Sequence, residues 1–373
     1  MKKKIAIISD FPIEPGKPRG GIENSVSILV EGLSQTVDVH IISCGKNKGE
    51  VEKRRNYTIH WLGYDLLLPG FIAYWTIRRY NVSRILSKIS PDLVHFHGAY
   101  GLSLGCDYPY VCTTHGFLEL DTALSGKWYS KIASKIVSLV ENKARIDCKN
   151  HIIINNYVLD VIGKYLKGNK FIIPNPVDSI HLQSKIETES KNILCIGRIS
   201  HQKNTLDAIR VFKEISSKYQ NLNMVIIGSS SSSSYFDLCK DYIFTNELQD
   251  RVTFVGELTK CEINNLFADS LCLVSFSRRE NAPMVVSEAL CSGVPVLCVN
   301  DFGMKYMIEN DYNGYKFSRG EINLAANKMS KMIEEPDYLH RLRENAIKSR
   351  RLYCSSIVTK ETLKAYEYII SHD

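Results

Sequence analysis

Short apolar strands alternate with amphipathic helices along almost the whole chain, and this alternation constrains the fold more than any other feature. In the first half, strand patterns occur at KKKIAIISD, VDVHIISC, PDLVHFHG and YPYVCTTHG, and helical patterns occur at IENSVSILVEGLSQ and at residues 125–148. Strands that alternate with helices in this way form βαβ units, which build parallel sheets. The sequence therefore predicts an α/β protein.

The pattern restarts after Pro174, Asn175 and Pro176, where two prolines punctuate and stiffen the chain. Strand patterns then recur at NILCIG, NMVIIG, VTFVG and SLCLVSFS. A chain of 373 residues is also long for one compact core. We therefore predict two doubly wound domains, residues 1–176 and 177–355, that face each other across a cleft. In such folds ligands bind beyond the carboxyl ends of the strands, so the cleft is the expected site.

The positive charge of the chain is concentrated in its first half. Residues 1–176 carry 23 lysines and arginines against 15 acidic residues, whereas residues 177–373 carry 24 against 25. The excess suggests an anionic membrane surface, a phosphate-bearing substrate or nucleic acid as partner. A solvated basic face without a partner explains it equally well. No nucleic-acid-binding motif occurs, so we expect no nucleic-acid partner.

Cysteine usage and apolar runs point to the cytoplasm. The eleven cysteines include no Cys-x-x-Cys pair, and several lie in apolar runs, which is typical of a reducing compartment. The start MKKKIAIISD resembles a first strand more than a signal peptide, and the most apolar window, residues 66–75, is too short for a bilayer span. We expect a cytoplasmic protein, with peripheral membrane contact as an open alternative.

The stretch SRRENAPMVVSEALCSGVPV holds two glutamates, Glu280 and Glu288, with seven residues between them. Pro283 suits the first position of a helix, and the amides of Met284 and Val285 would then be donors at its positive end. This arrangement could hold a diphosphate at the amides, a ribose at Glu288 and a second polyol at Glu280. The alternative is a surface acid followed by an ordinary helix-face acid.

Two further stretches carry groups suited to phosphate. In CIGRISHQKN, Gly197 and Arg198 end a strand and Lys203 opens the next helix, so two cations could neutralise a diphosphate. In KPRGGIENSV, Gly20 and Gly21 precede a helix and would let a ligand approach its N-terminus. Ordinary surface cations and a simple turn are the alternatives, since neither stretch is a P-loop or a dinucleotide fingerprint.

Three histidines follow strand patterns: His95, His97 and His115. His95 and His97 would share a strand face, but no third ligand group accompanies them. We therefore expect buried or cleft hydrogen bonding in place of a metal site. The chain also lacks a D-x-D pair for a metal–nucleotide clamp, and we predict no metal and no cofactor.

Together, ENAPMVVSEALCSGVPV, GRISHQKN, FIIPNPVD, RVTFVGEL, HFHG, TTHG and PRGGIENSV resemble the motifs of retaining nucleotide-sugar glycosyltransferases of family four, in order and spacing. The resemblance covers nearly the whole chain. It implies a GT-B fold, with two Rossmann-like domains and a C-terminal helix, about residues 356–373, that crosses back to the first domain. It also implies a nucleotide-diphosphate sugar as donor, with UDP preferred to GDP as its carrier, and no required metal.

The resemblance assigns roles to individual residues. Arg198 and Lys203 would stabilise the departing diphosphate, Glu280 and His115 would contact the donor sugar, and Glu288 would bind the ribose. The leaving phosphate would help to deprotonate the acceptor, so no protein nucleophile is needed. The other implied donor-binding residues are Gly20, Gly21, Gly197, Val255, Gly256, Asn281, Ala282, Pro283, Met284 and Val285. Asn281 replaces the usual glycine, and residues 301–306 depart from the family's GG..E loop.

The acceptor is less constrained. In SGKWYSKIASKIVSLVENKAR, Trp128, Ile132 and Ile136 share a helix face, with lysines on an adjacent one. A helix lying on an anionic membrane shows this pattern, and so does a core helix. The membrane alternative implies a lipid-linked glycan acceptor, as in assembly of a bacterial surface polysaccharide such as O-antigen or capsule. A catalytically silent scaffold, or another nucleotide-sugar enzyme on the same fold, remains a rival function.

Overall fold

The computed structural model describes residues 2–46, 49–63, 74–98, 100–123, 130–183, 192–230 and 232–372. The chain forms two compact units. Unit 1 combines Met1–Pro176 with Ser355–Asp373, and unit 2 is Val177–Cys354. Each unit contains its own sheet, so each is described separately.

Unit 1 is built on an eight-stranded sheet in the order β3-β4-β2-β1-β5-β6-β7-β8. All neighbouring strands are parallel except β3, which is antiparallel to β4 at the edge. The strands are β1 (Lys4–Ile8), β2 (Asp38–Lys46), β3 (Glu50–Lys53), β4 (Tyr57–Gly63), β5 (Leu93–His97), β6 (Tyr110–Thr113), β7 (Asn150–Ile153) and β8 (Asn169–Ile172).

The central strand β1 explains why this sheet is covered on both faces. Its sequence KIAII buries four consecutive residues, and it pairs with β2 on one side and β5 on the other. A continuous apolar run is what a parallel strand between two helical layers requires. The described helices of this part of the chain are α1 (Gly21–Leu33), α2 (Arg79–Ile89), α3 (Leu118–Ala123), α4 (Ser130–Asp147) and α5 (Asn156–Ile162).

The C-terminal helix, Ser355–His372, belongs to unit 1 and packs on α1. Gly32 makes the close approach possible, because a β-carbon there would lie 2.2 Å from the Thr359 hydroxyl oxygen. Tyr366 of the same helix is buried, and its hydroxyl bonds to His95 on β5 at 2.6 Å. The helix is thus part of the unit 1 core although it follows unit 2 in sequence.

Unit 2 contains a six-stranded, fully parallel sheet in the order β11-β10-β9-β12-β13-β14. Counted within the unit, this is the strand order 3-2-1-4-5-6 of the Rossmann fold, and the order reverses between β9 and β12. The strands are β9 (Asn192–Ile196), β10 (Asn223–Ile227), β11 (Val252–Gly256), β12 (Ser270–Ser275), β13 (Val296–Val299) and β14 (Gly314–Phe317).

Helices cover both faces of this sheet and enclose one contiguous apolar core. They are α6 (Thr205–Ser216), α7 (Ser233–Thr245), α8 (Lys260–Ala268), α9 (Met284–Cys291), α10 (Met304–Met307), α11 (Ile322–Glu334), α12 (Pro336–Lys348) and α13 (Arg350–Tyr353). The predicted α/β class with two Rossmann-like units is confirmed. Within the described residues, no helix combines the length and apolar character that a membrane span requires.

Candidate active site

Two charged side chains of unit 2 meet where β9 and β12 end. These strands are neighbours, so the residues that follow them meet at one edge of the sheet. Lys203, in the turn after β9, forms an ion pair with Glu280, in the loop after β12. A reversal of strand order is where doubly wound sheets open a crevice for ligands. The Lys203–Glu280 pair therefore lies at a candidate ligand site.

Backbone geometry places Lys203 over the end of β9. The sequence predicted that Lys203 opens a helix, but this is wrong: α6 begins at Thr205, after Asn204 adopts a left-handed φ of 54°. Lys203 therefore lies in the preceding turn, where its side chain can fold back. A β-carbon at Gly197 would lie 3.4 Å from the Lys203 Cε atom. Arg198 is exposed beside them.

Helix α9 begins directly after the Glu280 loop. Pro283 was predicted at the first helical position, but its ψ of 121° makes it the N-cap, and the helix begins at Met284. The proline carbonyl accepts from the Val286 amide at 3.1 Å, which closes the first turn. The amides of Met284 and Val285 thus lie at the positive end of the helix dipole. Glu288 is half-buried in the second turn.

A second loop, after β13, fixes the position of the Glu280 loop. The Gly303 amide donates to the Glu280 carbonyl at 2.8 Å. Gly303 packs so closely that a β-carbon there would lie 1.3 Å from the Asn281 carbonyl oxygen. Asn281 and Ala282 are half-buried, and the contact with Gly303 fixes the backbone of this loop. The sequence noted residues 301–306 as a departure from the family but did not predict this supporting contact.

Arg319 ties the two loops together. Its guanidinium donates to the Arg278 carbonyl at 2.7 Å and pairs with Asp301 at 2.6 Å. Sequence reasoning missed Arg319, because a lone arginine after the last strand of a sheet carries no motif. The bond connects residues 41 positions apart, so only the folded chain reveals it.

The ends of β10 and β11 complete this edge of the sheet. The Gly228 amide donates to the Gly256 carbonyl at 2.7 Å, and Gly197 donates to Ile227 at 2.9 Å. Val255 and Gly256, which the sequence placed in the strand pattern VTFVG, are the last two residues of strand β11. Gly228, which the sequence did not single out, has a φ of 134° and lies against the Gly197 carbonyl.

In unit 1 the predicted glycines lie at the start of α1. Gly20 is the N-cap and Gly21 the first helical residue. Nothing lies within 4 Å of a β-carbon built at Gly20, so the backbone there is accessible to a ligand. Arg19 folds onto Glu23 with a 2.6 Å ion pair, which ties the chain before α1 to the first turn of the helix.

The three histidines of unit 1 form one hydrogen-bonded chain. His95 contacts His97 at 3.2 Å, and His97 contacts His115 at 2.8 Å. Burial lowers the pKa of His115 to about 4 and that of His95 to about 3, so both imidazoles are neutral at pH 7. The expectation of buried hydrogen bonding for His95 agrees with this arrangement. Among the described residues, no group of three histidine, cysteine or acidic side chains is arranged to hold a metal ion.

A cavity of about 190 Å³ opens where β1 and β5 end, at the strand-order reversal of the unit 1 sheet. Its polar lining includes Asp10, Arg78, His97 and Asp121. Its apolar lining includes side chains from α1, α2 and the neighbouring strands, and Gly116, next to His115, also lines it. The cavity lining therefore presents both polar and apolar groups.

Family comparison covers both units. The glycosyl transferases group 1 model matches residues 177–349, and the Glycosyltransferase Family 4 model matches residues 19–179. This chain is a group 1 glycosyltransferase. Its sheet orders and its C-terminal helix on unit 1 agree with the GT-B fold that the resemblance implies.

Named relatives support the same family at low identity. The glycosyltransferase is 22% identical over 375 residues to alpha-monoglucosyldiacylglycerol synthase of Acholeplasma laidlawii, covering 92% of each chain. It is 24% identical over 275 residues to UDP-Gal:alpha-D-GlcNAc-diphosphoundecaprenol alpha-1,3-galactosyltransferase of Escherichia coli, covering 68% of this chain and 70% of the relative. The structure of Anabaena Alr3699/HepE in complex with UDP and glucose superposes with a TM-score of 0.74 at 16% identity, covering 98% of this chain and 100% of the other.

Proposed function

We propose that this glycosyltransferase moves a sugar from a UDP-sugar to a hydroxyl of a lipid-linked glycan, with retention of configuration at the anomeric carbon. One observation carries the proposal: a cation and a carboxylate, Lys203 and Glu280, meet at the strand-order reversal of unit 2, directly before the N-terminus of α9. A nucleotide-diphosphate sugar needs both kinds of group, since its phosphates are anionic and its sugar presents hydroxyls.

Donor binding follows from the order of groups along this edge. The α9 amides and Lys203 bind the diphosphate, and exposed Arg198 adds a second positive charge. Glu280 accepts hydrogen bonds from the sugar, and Glu288 accepts them from the ribose. Val255 and Gly256, at the end of β11, border the base. UDP is the proposed carrier, because a solved neighbour holds UDP and a named relative uses UDP-Gal.

The reaction exchanges one bond to the anomeric carbon for another. The bond to the diphosphate oxygen breaks, the acceptor oxygen attacks from the same face, and the hydroxyl proton passes to the departing phosphate oxygen. Lys203 and Arg198 stabilise the charge that develops on that phosphate, which is electrostatic catalysis by preorganised groups. No protein nucleophile and no metal ion takes part in this scheme. His115, as a neutral imidazole, is the proposed hydrogen-bond partner of a sugar hydroxyl.

The acceptor is assigned to unit 1. Its cavity at the ends of β1 and β5 combines carboxylates, an arginine and apolar walls, which suits a sugar next to an amphipathic carrier. The names of two relatives refer to a diacylglycerol glycolipid and a diphosphoundecaprenol-linked sugar. Gly20 and Gly21, at the open start of α1, would let a phosphate or an acceptor group approach that helix N-terminus closely.

A thermal-shift series against nucleotides and nucleotide sugars tests the donor first. Ligands that bind only the folded protein raise its melting temperature by mass action. We expect UDP and one UDP-sugar to raise it, and GDP to have a smaller effect. If no nucleotide or nucleotide sugar changes the melting temperature, the donor assignment is wrong. Nuclear magnetic resonance of the product then reports whether the anomeric configuration is retained.

A further inference from the structure

Helix α4 exposes an unusual set of side chains. It has 18 residues, from Ser130 to Asp147, which corresponds to about 27 Å of helix. Four of its large apolar residues are exposed at fractions between 41% and 72%: Ile132 (65%), Ile136 (45%), Leu139 (72%) and Ile146 (41%). Among the helices in the described ranges, no other exposes more than two large apolar side chains. Scattered exposed apolar residues are normal, but a set on one helix needs an explanation.

These side chains form a continuous stripe. At 3.6 residues per turn, positions 132, 136, 139, 143 and 146 fall within an arc of about 80°. The opposite face packs into unit 1 through buried residues, which include Ala133, Val137, Glu141, Ala144 and Arg145. Glu141 there accepts from the amides of Tyr100 and Gly101 at 2.8 and 2.9 Å. The orientation of α4 is therefore fixed by its buried polar face.

This result decides between the two alternatives that the sequence left open. The face of Ile132 and Ile136 does not pack in the core, because Ala133 and Val137 occupy the core positions instead. Trp128, which the sequence placed on this face, and Lys127, which it placed on the adjacent face, lie outside the described residues. The apolar stripe of α4 therefore needs an explanation other than core packing.

The charges beside the stripe are nearly all positive. Lys131 and Lys135 are exposed on one flank, and Lys143 lies within the stripe. The only acidic residue among the exposed positions of α4 is Asp147, which pairs with Lys143 at 2.7 Å. Two copies meeting through this face would bring like charges together, whereas an anionic surface would attract it. Lysine side chains can also extend past an apolar stripe to reach lipid headgroups.

We propose that the α4 outer face, formed by Ile132, Ile136, Leu139, Lys143 and Ile146 with Lys131 and Lys135 beside it, is a docking surface for an anionic lipid bilayer. The helix would lie in the plane of the interface, with its apolar side chains inserted and its lysines at the phosphates. Unit 1 as a whole carries the positive excess of the chain, which adds long-range attraction. The inference stands on α4 alone and does not rest on the proposed donor or reaction.

Vesicle co-sedimentation of the full-length protein tests the proposal. Vesicles of phosphatidylcholine alone are compared with vesicles that contain phosphatidylglycerol, without donor or acceptor. We expect binding to the anionic vesicles, weakened by salt. The I132Q/I136Q/L139Q variant should bind at least about tenfold more weakly, because it removes the inserted apolar groups. The K131Q/K135Q/K143Q variant should lose on the order of a hundredfold in affinity for anionic vesicles.

The matched control is L238Q/F244Q. These two residues on α7 are 45% and 72% exposed, like those of α4, but lie in unit 2. The control should bind vesicles as tightly as the natural protein does. All variants should have the circular dichroism spectrum of the natural protein and the same increase in melting temperature with UDP. If UDP does not raise the melting temperature of the natural protein, the result contradicts the proposed function and leaves the proposal for the α4 outer face standing.

Three results would overturn the docking surface. The first is a natural protein that does not bind phosphatidylglycerol vesicles. The second is an I132Q/I136Q/L139Q variant that binds them as tightly as the natural protein. The third is a dimer in analytical ultracentrifugation that this variant abolishes while vesicle binding is unchanged, which would make the face an interface between copies.

Discussion

The ammonium group of Lys203 forms an ion pair with the carboxylate of Glu280, 77 residues further along the chain. Their side chains are 29% and 16% exposed, so the pair is shielded but open to a ligand. The pair joins the loops after β9 and β12, the two strands between which the sheet order reverses. In the proposed function, the two groups that hold the donor phosphates and the donor sugar are therefore already in contact.

Replacing Lys203 with alanine should lower turnover by about a hundredfold or more, because the leaving phosphate loses a preorganised positive charge. The measurement is initial transfer rate with saturating UDP-sugar. Lys213→Ala is the control, since Lys213 is an exposed lysine on α6 outside the proposed site. Unchanged turnover in Lys203→Ala would remove this residue from the mechanism.

Replacing Gly303 with alanine should displace the Glu280 loop. The added β-carbon would lie 1.3 Å from the Asn281 carbonyl, and Gly303 also donates to the Glu280 carbonyl. We expect a loss of about 1–3 kcal/mol in the free energy of unfolding from overpacking, and a larger KM for the donor. Denaturant melts and donor titrations measure the two effects.

Gly163→Ala is the control for that substitution. Gly163 has a helical φ of −53°, and its added β-carbon would meet Leu159 at an ordinary 3.6 Å. It should therefore leave both stability and donor KM nearly unchanged. A Gly303→Ala enzyme that matched this control would show that the loop after β13 does not position Glu280.

Replacing Glu288 with glutamine should weaken UDP binding by about tenfold or more, because a hydrogen bond to a carboxylate contributes more than one to a neutral amide. Isothermal titration with UDP measures the change directly. Glu214→Gln, an exposed acid on α6, is the matched control. Equal affinities in the two variants would exclude Glu288 from the ribose site.

The histidine chain of unit 1 predicts a loss of stability in acid. Burial lowers the pKa of His115 to about 4 and of His95 to about 3, and it lowers the pKa of His97 well below the ordinary value of 6.5. As the pH falls, the histidines of the unfolded chain therefore bind protons at a higher pH than those of the folded protein do. The free energy of unfolding should decrease below pH 6.5 and continue to fall toward pH 4, by up to about 1.4 kcal/mol per pH unit for each imidazole.

Denaturant melts between pH 7.5 and pH 4 test that window, in the natural protein and in His115→Gln. The variant should show a shallower decrease, since it removes one of the three imidazoles. His340→Gln is the control, because His340 is exposed on α12. Identical pH dependence in all three proteins would show that the chain of imidazoles does not govern acid stability.

Chelation should leave the transfer rate unchanged, because in the proposed scheme Lys203 and Arg198 supply the positive charge that a metal ion would otherwise bring to the phosphates. The assay adds a chelator to enzyme with UDP-sugar and acceptor, then restores magnesium. A rate that falls with chelator and recovers with magnesium would contradict the metal-free scheme.

Much of the fold could be predicted from local patterns. The buried run of β1 and the helical period of α6 follow directly from which residues are apolar. Strand β4 and helix α12 were not predicted. Strand β4 buries only three of its seven residues, and α12 is rich in charged side chains. Such half-exposed elements acquire their conformation from neighbours as much as from their own sequence.

The sequence by itself determined the α/β class, the two units and the chemical identity of the groups proposed to bind the sugar donor, because strand and helix periods and short motifs are local properties. Only the tertiary structure decided which of these groups meet. Strand order brought Lys203 to Glu280, and packing placed Gly303 and Arg319 behind them. Periodicity also showed that Ile132 and Ile136 share a face, but only packing decided that this face points outward, because a helical period does not specify which side a core will cover.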